Sequence, residues 1–310
     1  MKKIQKSIMM LAALLMAGAT MTSCSSDEEK NANDQPEQGK YFMKINASKS
    51  NEATRALGWN DETESYDGYW KTTDVITVMD AVSHEVLGSL SPESRGVQAV
   101  LSGTITKPAE SGQYFLLARA GDATDIPGFD YTGQNGEPGD NIDKYDYSMI
   151  PSLSATTEGN AIVAVNDSYE FDNCQSIVVF NLKNESGLDL KTNQLTIDCV
   201  QENSSGVEKS VLTQTVNYTS GATSYGPLVI NTSSSTTYDS QFIVALRVIN
   251  NPVKVILTAK AGDKTYICTR ENVTFTNGKF YGVTAKLVEA TPDGGVRKTY
   301  GSITSYDWTE

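Results

Sequence analysis

Histidine is almost missing from this chain of 310 residues, which holds one, His84. Acid–base relays, nucleophile–His pairs and His-ligated metal centres therefore have little to work with, and the composition points to a non-enzyme with no cofactor and no metal. Basic residues are also scarce. Lys and Arg number 25 against 38 Asp and Glu, for a formal charge of −13 and a pI near 4.6. Too little positive charge remains to displace counterions from DNA or RNA, or to dock on anionic lipid. Cysteine occurs four times, at 24, 174, 199 and 268, with no Cys-x-x-Cys or Cys/His spacing that suits zinc. Helical periodicity is absent from Tyr41 onward, where no segment keeps apolar residues at i, i+3, i+4 and i+7 for three turns. What remains is 39% hydrophobic and 20% charged, enough for a packed core.

Residues 1–24 read MKKIQKSIMMLAALLMAGATMTSC. Lys2, Lys3 and Lys6 precede an apolar run from Ile8 to Ala19, too short for a permanent membrane span. Thr22 and Ser23 then lead into Cys24. The order resembles a bacterial lipoprotein signal, in which the Cys becomes an acylated N-terminus; Met21 stands where Leu is commoner. At about 0.8 kcal/mol per buried CH2, two or more chains would hold the protein on the outer membrane. Residues 24–40 form an acidic tether without large apolar groups, and Ser25–Lys30 resembles the export signal of surface-exposed Bacteroidetes lipoproteins. Losing residues 1–23 removes three Lys and no acid, taking the charge from −13 to −16.

Beyond the tether the chain reads as short β-branched and aromatic runs. They are Tyr41–Ala47, Val75–Met79, Val97–Ile105, Gln113–Arg119, Ala161–Val165, Ser176–Lys183, Gln194–Val200 and Val211–Tyr218. Leu228–Asn231, Phe242–Ile249, Val253–Lys260, Thr265–Arg270, Val273–Thr276 and Tyr281–Val288 follow. Residues 184–187, 261–263 and 277–278 carry tight hairpin signals. Residues 120–147, rich in Gly and acid, form a long loop of the kind that is functional or disordered. The expected fold is all-β. Two tandem β-sandwich domains (transthyretin-like, Greek-key) span 41–166 and 167–290, with 291–310 as a C-terminal strand extension.

Several phrases now line up in order: the signal, YFMKINA at 41–47, Thr54-Arg55-Ala56, Trp70 with Asp74–Val78, CQSIVVFNLKNESGLDL from Cys174, NGKFYGVT at 277–284, and Ile303–Trp308. Together they resemble the fimbrillin family, the subunits of Bacteroidetes type V pili. The resemblance implies a fimbrial (pilus) subunit that supports cell adhesion. A trypsin-like surface protease cuts after an Arg that follows the first strand, and the vacated groove takes the C-terminal strand of another subunit by β-augmentation. It places the cut at Arg55 and Ala56, the displaced strand at Tyr41, Met43 and Ile45, and lipidation at Cys24. The donor strand falls on Val296, Tyr300, Ile303, Tyr306 and Trp308, where the alternation breaks at Gly301 unless a bulge restores it. Arg95, Arg119, Arg247 and Arg270 adjoin or lie within later strand runs. The implied partners are other pilus subunits, outer-membrane lipid and the protease, with no nucleic acid.

Other chemistries are thinner. Cys174 and Cys199 allow a cross-strand bridge, but a Cys inside a β-run is more often a small buried hydrophobe. Asp140, Asp143, Asp146 and Glu137 lack the spacing of a Ca²⁺ loop and read as a solvated acidic loop. Seven Asn-x-Ser/Thr sequons reflect composition. The alternative function is a surface glycan-binding lipoprotein, with Tyr66, Tyr69 and Trp70, or Phe129 and Tyr131, offering rings to sugar faces. A surface hydrolase using two of the carboxylates is a third reading, but nothing singles a pair out.

Overall fold

The computed structural model describes residues 39–49, 58–60, 65–67, 69–119, 127–137, 144–232, 239–248, 251–290 and 303–307; at 58–60, 65–67 and 303–307 it describes backbone alone. In the first half lie β1 (Tyr41–Lys49), β2 (Gly58–Asn60), β3 (Ser65–Asp67), β4 (Val75–Asp80), β5 (Val86–Pro92), β6 (Gln98–Ile105) and β7 (Gln113–Arg119). Next come β8 (Gly128–Asp130), β9 (Tyr147–Glu158), β10 (Ala161–Ala164), β11 (Tyr169–Asn173) and β12 (Ser176–Lys183). Then follow β13 (Gln194–Glu202), β14 (Glu208–Ser210), β15 (Thr213–Asn217), β16 (Ala222–Tyr225), β17 (Leu228–Asn231) and β18 (Gln241–Leu246). The last are β19 (Val253–Ala261), β20 (Lys264–Val273), β21 (Phe280–Lys286), β22 (Val288–Glu289) and β23 (Ile303–Asp307). The fold is all-β among the described residues, as the missing helical period requires.

The first sheet has eight strands in the order β10-β1-β11-β9-β7-β4-β5-β6, and β1 pairs with β6 as well. That extra pairing closes the sheet on itself. Its interior holds Met43, Ile45, Trp70, Ile76, Val78, Leu87, Leu90, Leu101, Leu116, Leu153 and Phe171. Strand β7 is buried almost throughout because both its faces are used: Tyr114, Leu116 and Ala118 face this interior, while Phe115 and Leu117 join a second core. A continuous apolar run, rather than alternation, is what a strand covered on both faces needs.

That second core is shared by a four-stranded sheet, β18-β12-β21-β23, and a larger one, β14-β13-β19-β20-β22, in which β17 also pairs with β13. Alternate residues of β12, β13 and β19 (Phe180 and Leu182; Leu195, Ile197 and Cys199; Val255, Leu257 and Ala259) point into it. Strand β8 pairs with β15. A Cβ at Gly128 would lie 1.8 Å from the Val216 carbonyl oxygen, so only glycine fits there.

Several expectations need correction. Gly262-Asp263 does turn the β19–β20 hairpin, with Gly262 at φ 62°. Asn277-Gly278 turns the chain tightly too, but from β20 into a different sheet, so it closes no hairpin. The run Thr265–Arg270 continues through Val273 as one strand, β20, with a register shift opposite Val253–Val255, while Thr274–Thr276 of the second expected run lie outside any strand. Strands β5 and β9 escaped notice because each slips phase: β5 at its shift opposite Val78–Met79, β9 at Pro151, where its pairing with β7 shifts. The long loop is in its described part a strap. Phe129 and Tyr131 are buried, Gln134 Nε2 donates to the Ala245 carbonyl at 2.9 Å, and the Ala245 N–H donates back to Gln134 Oε1 at 2.8 Å.

Candidate functional site

The site is built from β1. Its burial alternates with period two. Met43, Ile45, Ala47 and Lys49 point inward, Tyr41 is half-buried, and Phe42, Lys44 and Asn46 face out. Eight residues, Tyr41 to Ser48, pair antiparallel with β6. The other edge is shared. Phe42–Lys44 run parallel to β10, and Ala47–Lys49 run parallel to β11. The strand thus has bonded neighbours on both sides, β6 on one and β10 and β11 on the other.

Its last inward position is filled by a cation. Lys49 is 4% exposed, its Nζ 2.9 Å from Asp146 Oδ2 and 3.7 Å from Asp74 Oδ2, and 4.8 Å from the Trp70 ring centre. Asp74 stands just before β4 and Asp146 just before β9, both buried, so three separate parts of the chain meet here. Asp74 Oδ2 accepts the Lys71 N–H at 2.9 Å, Asp146 Oδ1 accepts from Gln175 Nε2 at 3.4 Å, and Asp74 Oδ1 is buried with no hydrogen-bond partner. Burial pushes the Asp74 carboxyl above its ordinary pKa, against the pull of Lys49. Charges this deep are tolerated only in company.

Sequence reasoning missed this cluster. It ended the strand at Ala47, and it grouped Asp146 with Asp140 and Asp143 as a solvated acidic loop. Asp146 is buried in an ion pair instead, while Asp140 and Asp143 lie outside the described residues. Cys24, Arg55, Ala56, Val296, Tyr300 and Trp308 also lie outside them. Ile303 and Tyr306 belong to β23, which pairs antiparallel with β21 at the end of the four-stranded sheet. Of the other arginines, Arg119 is buried in β7, Arg247 and Arg270 are half-buried, and Arg95 is exposed between β5 and β6, stacked 4.1 Å from the Tyr69 ring centre.

The rings offered as a sugar platform are mostly core. Trp70 is buried edge-on to Phe171, ring centres 5.0 Å apart. Phe129 and Tyr131 are buried with Tyr147, and Arg247 sits 4.7 Å from the Phe129 ring centre. None of the three presents a face to solvent. Cys174, Cys199 and Cys268 are free buried thiols, the small-hydrophobe outcome; burial pushes Cys174 up to about 12 and Cys268 to about 11. His84 is a turn residue at φ 56°, packed near Phe115 and Tyr218. No group of three or more His, Cys, Asp and Glu suited to a metal occurs among the described residues.

No family model matches the chain, and no curated protein does. Solved structures do resemble it. One is a protein from Bacteroides ovatus provisionally named for cell adhesion, at 12% identity and TM-score 0.43, the match covering 86% of this chain and 97% of that one. A fimbrial assembly protein from Parabacteroides distasonis matches at 11% identity and TM-score 0.41, over 86% and 96%. The tip fimbrial protein Mfa3 from Porphyromonas gingivalis, truncated at its C-terminus, matches at 11% and 0.36, over 87% and 100%.

Proposed function

We propose that this chain is a structural subunit of a fimbrium, exported as an outer-membrane lipoprotein acylated at Cys24 and joined to its neighbours by exchange of strands at the cell surface. One observation carries the reading: β1 closes the first sheet, bonded along both edges, and its chain then runs on into the segment that holds Arg55. A trypsin-like protease cutting between Arg55 and Ala56 would leave β1 held by non-covalent contacts alone. Its loss would uncover two strand edges and an apolar slot where Met43 and Ile45 sat. An open edge is a template for another strand. The C-terminal segment with Val296, Tyr300, Ile303, Tyr306 and Trp308 is the donor; β23, at the end of its sheet with one bonded neighbour among the described residues, is easier to detach than β1. The reading keeps two tandem domains, about 41–166 and 167–290, one for each core, although β11 belongs to the first sheet. It gives this chain the fimbrial role that two of the neighbours above carry by name, and it rests on the closing strand rather than on them.

The test is N-terminal sequencing of surface-shed material. A mature N-terminus at Ala56, in a ladder of sodium dodecyl sulfate-resistant oligomers lost on Arg55→Ala, is the expected result. A monomer that keeps Cys24 as its N-terminus overturns the reading.

A further inference from the structure

The buried end of β1 bears on which strand can replace it. Lys49 is the cation facing Asp74 and Asp146, and it belongs to the strand that leaves. Once β1 departs, two buried carboxylates are left beside one another, with Trp70 forming the wall and Asp74 Oδ1 already lacking a hydrogen-bond partner. An apolar side chain in that position would leave both charges desolvated and uncompensated, a far worse outcome than a mispacked methyl. A small polar side chain would supply hydrogen bonds but no charge.

From this arrangement we infer that the vacated groove has an acidic socket, made by Asp74 and Asp146, that selects an incoming strand carrying Lys or Arg where Lys49 stood. The inference rests on the strand-exchange reading and names the chemistry of its partner. The occupant is the C-terminal segment of a second copy. Lys298 stands two residues before Tyr300 and so shares its face of an extended strand, and a bulge at Gly301 brings Ile303 onto that face. Read backwards, the inward positions of β1 are Lys49, Ala47, Ile45 and Met43, and the donor matches the first with Lys298 and the third with Ile303, Tyr300 taking the place of Ala47. The donor therefore enters running opposite to β1. Charge complementarity sets its register, because a slip of two residues would put Tyr300 against the carboxylates and a slip of one would turn Lys298 outward.

The test uses the full mature chain with a sequence-specific protease site in place of residues 50–56, nicked and mixed with a labelled peptide of residues 291–310. The wild-type peptide should displace the β1 fragment. A K298M peptide should bind roughly tenfold to a hundredfold more weakly, and K298R should restore most of the affinity. In a nicked K49M/D74N/D146N chain the difference between the wild-type and K298M peptides should vanish. Equal binding of wild-type and K298M peptides to the unmutated chain overturns the socket while leaving strand exchange intact. Failure of every peptide, the wild type included, to displace the fragment overturns strand exchange itself.

Discussion

Lys49 sits where a sheet interior ordinarily holds an aliphatic side chain. Removing one member of such a cluster is worse than removing all of its charge, because the survivors stay buried without a partner. Lys49→Ala should therefore lower stability by about 3–5 kcal/mol, whereas K49M/D74N/D146N together should stay much closer to the wild type; urea denaturation of both reads the difference directly. Asp80 is a second charged residue with a defined task. Burial alone would raise its carboxyl, but the N–H groups of Val82, Ser83 and Ser111 and the Ser111 hydroxyl all donate to it, and it ends far below the usual carboxylate range. A carboxylate whose pKa is lower in the folded state adds stability above its unfolded value, near 4, and loses that contribution as the pH falls toward the folded one. Asp80→Asn should cost about 2–3 kcal/mol at neutral pH, and the gap to wild type should narrow below about pH 4, in denaturation curves taken across that range. Neither residue announces itself in the sequence. A buried Lys spells the same as a surface Lys until its partner, here 97 positions away, is known.

At the scale of elements, the strands that were legible are those whose pattern holds its phase. Gln113–Arg119, Ser176–Lys183 and Leu228–Asn231 were readable to the residue because an unbroken apolar run or a clean alternation marks each end. Strands β5 and β9 were not, since a register shift moves buried positions to the other parity part-way along. β8 was hidden differently: it is three residues long, and it is paired because β15 lies beside it, not because of its own propensity. The strap that follows it hangs on Gln134, whose amide takes both backbone bonds of buried Ala245. Gln134→Ala leaves an N–H and a C=O unpaired, and should destabilise by about 2–4 kcal/mol. Hydrogen exchange should show faster exchange at Ala245 than at Leu257, which lies in a strand paired on both sides. Protection unchanged at Ala245 would show that the strap is not what holds it.

Across the whole molecule, the sequence conveyed the all-β class through what it lacked, and many of the individual strands through their runs. It could not convey closure. That β6 returns to β1 is a contact between ends of a sheet, set by twist and strand count rather than by any local pattern. For the proposed strand exchange closure matters because the intact sheet has both flanks of β1 occupied. A synthetic peptide of residues 41–49 added in excess should accordingly slow oligomer growth of the nicked chain, by refilling the slot, as followed by size-exclusion chromatography; an unchanged rate would mean that growth proceeds elsewhere. There is also a mechanical side. A strand bonded to neighbours along both edges, when pulled along its own axis, loads its ladder bonds in shear, so that they resist together rather than parting one after another. Whatever strand occupies the place of β1 inherits that geometry. A fibre joined through it would take its tensile strength from the same two edges, β6 on one side and β10 and β11 on the other, that keep the lone subunit closed.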